Sequence, residues 1–391
     1  MPIADVIQSD APVSSRRATW IVYATMIATG VGVVLPGAML PLLLTRWRLS
    51  DAQAGLLFFL FFIGSTSGAV LSRGSLPKSI ARGCLAVVIG AVMLALASRD
   101  AAFLAIVIYG VGLGIVMTSS SLLQSRRCES ERAAQLARVN LMWAIGACLG
   151  PSLVLRGATA WGTPAVLFGI AAFFGVVAGL ALVLVPHVDA PITTSPAPRT
   201  RNAMALLLIL VPLATGVESA TGGWLTTYSK RSGQTLGEVI GATTCFWAGM
   251  LVSRFIQSHR HIATASALVL FVGGPWLMSA ALSVLLISTG GASMLAGALL
   301  LGLAIGPMYP LLLTIALRQG EAGNVVFVMA GCGASLLPLL TGLVSKWSGS
   351  LRIGLGVPLV AAVVMGCLAL AGRRLKDAIS PRISDAAQQD V

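Results

Sequence analysis

The sequence predicts an all-α membrane protein with twelve transmembrane helices, arranged as two pseudo-symmetric bundles of six. Three observations carry this. Of the 391 residues, 57% are hydrophobic and only 10% charged, and the mean hydropathy is +0.91, an apolar load that suits lipid rather than water. Apolar stretches of about 20 residues, long enough to cross a bilayer, recur along the whole length. A short motif also returns in register on either side of a proline-rich break.

Taken in order, and bounded by charged residues or Pro/Gly punctuation, the first six spans are expected near 18–44, 52–73, 79–98, 102–124, 133–155 and 163–185. The second six are expected near 203–228, 236–257, 262–287, 292–317, 322–345 and 353–372. Between the two sets, Pro186, Pro191, Pro196 and Pro198 with a Thr/Ser cluster read as a flexible linker. The domains are therefore a first bundle over 1–185, a cytoplasmic linker over 186–201 and a second bundle over 202–391.

The repeat supports that division. Gly68, Ser72 and Arg73 recur as Gly249, Ser253 and Arg254, a displacement of 181 positions, and the same displacement lays Leu44, Thr45 and Trp47 over Leu225, Thr226 and Tyr228. With both termini in the cytoplasm, about 18 of the 26 Lys and Arg residues, Arg73 and Arg254 among them, lie on the inner side, as the positive-inside rule favours. The N-terminal stretch up to Arg17 carries Asp5 and Asp10 and lacks the order of a cleavable signal peptide.

The net charge of +13 does not point to nucleic acid, because the basic residues sit between apolar runs and form no face. The six cysteines lack metal-ligand spacing and read as small packing residues. His187, His259 and His261 fall in the linker and a loop, which leaves no histidine relay through the membrane. With no nucleotide-binding glycine loop, metal cluster or catalytic triad in the sequence, neither an enzyme nor a cofactor or metal is expected.

Five segments stand out: Leu49 to Gly55 before span 2; Asn140, Trp143, Gly146, Gly150 and Pro151 on span 5; Glu218, Gly222, Gly223, Trp224 and Tyr228 on span 7; Gly306 to Pro310 on span 10; and Ala334 to Gly342 on span 11. Together they resemble the fucose permease group of sugar:proton symporters in the major facilitator superfamily. The resemblance implies two six-helix halves with substrate held between them near the midplane. It also has departures: Ser72 precedes Arg73 where the superfamily carries an acid, and span 4 offers only Thr118, Ser119, Ser120 and Ser121 where the group carries an acid or amide. Coupling then rests on span 7.

Glu218 is the acid placed within a span, where a charge costs about 2.5 to 3.5 kcal/mol and tends to serve function. Desolvation favours the neutral form of a lone carboxyl, the condition for taking up and releasing a proton. Glu218 is thus the candidate proton-coupling residue, with a purely structural hydrogen-bonding carboxyl, or direct binding of substrate, as the other readings. Sugars need polar groups for hydroxyls and flat apolar surfaces for their C–H faces. Asn140, Trp143, Thr221, Trp224, Trp247 and Tyr309 are accordingly the candidate substrate contacts. Arg73, Gly222, Gly223, Tyr228 and Arg254 are the candidate gating residues; the glycine pair could bend the helix or pack it closely. Trp20, Trp47, Trp161 and Trp347 lie near span ends and read as interfacial anchors or packing residues. Prolines inside spans, Pro307, Pro310 and Pro338 among them, mark kinks.

These residues point to a monomeric, proton-coupled sugar or polyol symporter in a bacterial-type inner membrane, with protons, a small molecule and lipid as its partners. The alternatives are a facilitator, an exporter of amphipathic compounds, or a receptor that has kept the fold without transporting.

Overall fold

A computed structural model describes residues 14–72, 74–127, 132–184, 201–257, 260–318 and 323–372. The helices of the first bundle are α1 (Ser14–Trp47), α2 (Asp51–Leu71), α3 (Leu76–Leu96), α4 (Arg99–Arg127), α5 (Arg132–Trp161) and α6 (Thr163–Leu184). Those of the second are α7 (Arg201–Arg231), α8 (Leu236–Gln257), α9 (Arg260–Ile287), α10 (Gly291–Ile305), α11 (Met308–Arg318), α12 (Gly323–Ser348), α13 (Leu351–Gly354) and α14 (Gly356–Gly372). They form 12 spans long and apolar enough to cross a membrane. The linker expected over 186–201 lies outside the described residues, apart from Arg201 at the start of α7.

Two expected spans differ from a single helix. The tenth is broken at Gly306 and Pro307 into α10 and α11, and the twelfth is broken at Leu355 into α13 and α14. The first break has a direct cause: Pro307 has no N–H to donate to the turn before it, and its ring clashes with the preceding carbonyl. Elsewhere the connections are tight. Ser50 and Gln53 form a capping box that starts α2, and Gly162, at φ 84°, makes the turn between α5 and α6, a conformation that glycine adopts without strain.

Helices pack through small residues that let backbones approach. A Cβ added at Gly30 or Gly146 would strike α5 or α1 backbone; one at Gly68 or Gly114 would strike α4 or α2; one at Gly249 or Gly302 would strike α10 or α8. Within the first bundle the main pairings are α3 with α4, α1 with α5 and α2 with α4; within the second they are α8 with α10 and α7 with α12. Across the seam, α2 lies on α12, α5 on α8 and α1 on α7. Span 1 sits at the centre, 67% of its most apolar window buried, whereas span 6 is peripheral at 28%. Large apolar side chains such as Leu96, Val183 and Val269 are exposed on the outside, where lipid rather than water suits them.

The tryptophans expected as anchors or packing residues separate into two kinds. Trp20, Trp161 and Trp347 are well exposed. Trp47 takes the packing role: it is buried, and its indole N–H donates to the Ala97 carbonyl at the end of α3.

Candidate functional site

Glu218 lies near the middle of α7, and the rotation of that helix is set by its neighbours. Thr215 and Ser219 donate across to the Ala330 and Ala334 carbonyls of α12, pinning one face of α7. At 3.6 residues per turn, Glu218 then points about 100° away from Ser219, towards α8 and α11.

There it meets Arg254. The Nη2 of Arg254 lies 3.3 and 3.2 Å from the two carboxylate oxygens of Glu218, and the two side chains are 18% and 19% exposed. This corrects the reading of Glu218 as a lone acid and of Arg254 as a residue of the cytoplasmic edge. Arg254 reaches inward from the last turn of α8, and its Nε donates to the Gly306 carbonyl at 3.1 Å. One turn along, the Gln257 amide donates to the Pro307 carbonyl. Pro310 has no N–H to offer the Gly306 carbonyl, so α8 satisfies that group, while the Pro307 carbonyl also accepts the Leu311 N–H of α11. Tyr309, half-buried in the first turn of α11, is within electrostatic reach of both charges.

The other bundle closes this neighbourhood with an aromatic ring. Trp143 on α5 stands edge-on to Trp247 on α8, centroids 5.9 Å apart, and the Arg254 guanidinium carbon lies 5.6 Å from the Trp143 centroid, within cation–π range. Phe246 stands edge-on to Trp247. The indole N–H groups of both tryptophans are buried without a hydrogen-bond partner.

The remaining sequence candidates lie as follows. Asn140 is exposed, one turn before the buried Trp143. Thr221 is buried and donates back to the Val217 and Glu218 carbonyls of its own helix. Trp224 is fully buried, donates to the Pro338 carbonyl and packs against Phe58. Gly222 and Gly223 lie within a continuous α7; Cβ atoms there would press on Trp247 and Phe58. Tyr228 is buried, its hydroxyl donating to the Leu286 carbonyl of α9. Arg73 lies outside the described residues.

One constellation escaped the sequence reading. Asp51, at the start of α2, takes a two-pronged ion pair from Arg231 at the end of α7, both contacts at 2.7 Å. Ser345 on α12 donates to the same carboxylate at 2.6 Å. Three helices and both bundles are clamped at this end. Asp51 follows the cap residue Ser50, so in sequence it reads as an ordinary helix-starting acid; its partner is 180 positions away.

Two six-helix bundles, an ion pair held inside the lipid-spanning region and an aromatic contact across the seam define a membrane transporter of small molecules. The chain belongs to the Major Facilitator Superfamily, which it matches over residues 21–326. It is 32% identical over 161 residues to the enterobactin exporter EntS of Citrobacter koseri, a match covering 37% of this chain and 36% of that one. The aligned part is thus about a third of that relative's length.

Among solved structures it resembles a bacterial homologue of the human lysosomal transporter Spinster, in an inward-facing and occupied conformation. The TM-score is 0.74 at 15% identity, covering 95% of this chain and 100% of that one. It also resembles the fucose:proton symporter FucP of E. coli, with a TM-score of 0.59 at 16% identity, covering 90% and 97%.

Proposed function

We propose that the chain is a proton-coupled secondary carrier that takes up a small hydroxylated molecule of the sugar or polyol class by alternating access between its bundles. The observation that carries this reading is the Glu218–Arg254 pair. A proton and a guanidinium compete for the same carboxylate, so protonation loosens a tie between α7 and α8. Because Arg254 also holds the broken span 10 and lies against Trp143 of the other bundle, that loosening reaches the seam along which the bundles move.

In this reading Glu218 carries the proton, with Arg254 as its counter-ion as well as a gating residue. Asn140, Trp143, Thr221, Trp224, Trp247 and Tyr309 meet the substrate during the cycle, and Arg73, Gly222, Gly223 and Tyr228 serve the gates. The protein sits in a bacterial-type inner membrane with both termini cytoplasmic, as the basic-residue distribution favours. The Asp51–Arg231–Ser345 clamp then ties the two bundles together at the outer end.

The test is uptake into proteoliposomes. Glu218→Gln loses accumulation driven by an imposed proton gradient, while exchange of substrate down its own gradient persists. Intact accumulation in that variant sinks the coupling role. A second reading, export of amphipathic compounds, is favoured by the sequence match to an enterobactin exporter. Transport measured in right-side-out and inverted vesicles separates the two.

A further inference from the structure

The coupling role proposed for Glu218 leaves a charge unaccounted for. When Glu218 takes a proton from the aqueous side, Arg254 keeps its own charge. A guanidinium stripped of its partner inside a membrane bundle is strongly unfavourable. The charged and titratable groups facing Glu218 are Arg254 on α8 and Tyr309 on α11. Of the other helices packed on α7, α10 has no titratable residue and α14 offers only Cys367. α12 has Cys332 and, near the clamp, Lys346; α1 has Tyr23 and basic residues near its two ends. None of these is an acid that could replace Glu218, and the one acid of α8, Glu238, lies in its first turn, at the far end from Arg254, bonded to Thr235.

The unpartnered capacity of the two tryptophans is donor-only. Trp143 and Trp247, 8% and 6% exposed, each bury an indole N–H with no acceptor. Their rings lie beside each other, and the Trp143 ring lies under the guanidinium. An indole donates only, as does a guanidinium. One cation with a removable partner and two unused donors call for a ligand group that only accepts. A neutral sugar hydroxyl brings a donor with every acceptor and matches this less well.

We infer that the cargo carries one oxyanion group, most simply a carboxylate, which takes the place of Glu218 on Arg254 when Glu218 is protonated. The inference rests on the proposed coupling role and narrows the hydroxylated cargo to the acids derived from sugars and polyols, setting the neutral members of that class aside. One proton entering with one monoanion moves no net charge, whereas a proton with a neutral sugar moves one.

The experiment uses Glu218→Gln, which imitates the protonated carboxyl. Melting of the full chain, purified in detergent, is followed with sodium gluconate or acetate against glucose, acetamide and sodium chloride at equal ionic strength. The variant is expected to bind the carboxylates about tenfold more tightly than the native chain, which must first break its own pair. The neutral compounds and chloride should show no such preference. Trp143→Phe and Trp247→Phe, placed in the Glu218→Gln background, keep the rings and remove the donors. Each is expected to weaken carboxylate binding about tenfold.

Equal stabilisation of variant and native chain by carboxylates overturns the inference, as does an equal preference for acetamide or glucose. The two proposals fail separately. Loss of accumulation without a carboxylate preference leaves the coupling role standing and removes the anion. A carboxylate preference with accumulation intact does the reverse.

Discussion

The two bundles place one motif in one frame and put it to different use. Gly68 packs α2 on the Val111 carbonyl of α4, and Gly249 packs α8 on the Leu299 carbonyl of α10. Four residues on, Ser72 meets Ser119 of span 4, at 2.5 Å between hydroxyl oxygens, and Ser253 lies against Gly306 of span 10. Beyond this the bundles diverge. Span 4 runs unbroken from Arg99 to Arg127, whereas span 10 breaks at Gly306 and Pro307. The displacement that lays Arg73 on Arg254 lays Gly37 on Glu218. Gly37 faces Gly222 and Gly223 so closely that a Cβ there would lie 3.0 Å from their backbone atoms. The first bundle spends this position on close approach and the second spends it on charge. Duplicated packing thus fixes the frame, and single substitutions within it assign the chemistry.

The sharpest way to break this comparison is to unpair the second bundle. Arg254→Leu strands the Glu218 carboxylate and is expected to destabilise the protein by about 3 kcal/mol, whereas Arg254→Leu with Glu218→Leu recovers most of it. Melting of the purified variants ranks them; a single variant as stable as the double one would mean that the pair contributes little.

A smaller effect probes the shared frame. Gly68→Ala and Gly249→Ala each push a methyl into a facing backbone and are expected to cost about 1 to 3 kcal/mol, by similar amounts. A clear inequality in their melting temperatures would show that the two bundles do not depend on this contact alike.

The smallest effect concerns the clamp. Arg231 is 44% exposed, so solvent screens its pairing with Asp51. Asp51→Asn is expected to shift the balance towards opening at that end by about 1 kcal/mol, or about fivefold. Distances between spin labels placed on α2 and α12 would report it, and an unchanged distribution would deny the clamp any hold on the seam.

Much of the fold was legible because hydropathy is a local property. The expected eighth span at 236–257 coincides with α8, and the sixth, at 163–185, ends within a residue of α6. Pro307 announced its kink, although the length of the break became visible only with α10 and α11 in place. The site was less legible. Glu218 stood out as an acid in an apolar run, yet its partner was counted among the residues that hold the cytoplasmic edge. Basic residues near a span end ordinarily extend towards water. Arg254 turns inward instead, because the Glu218 carboxylate and the Gly306 carbonyl wait there. Which of anchoring and packing Trp47 serves was hidden for the same reason: the Ala97 carbonyl that receives its N–H lies on another hairpin.

Composition, apolar run length and the register of the repeat were sufficient for twelve spans, two bundles and one conspicuous acid, since each depends on residues close in the chain or on a constant displacement. The Glu218–Arg254 pair, the clamp on Asp51 and the tryptophan contact across the seam depend on helix rotation and packing. Those follow from many weak contacts between distant segments, and short-range patterns carry no record of them.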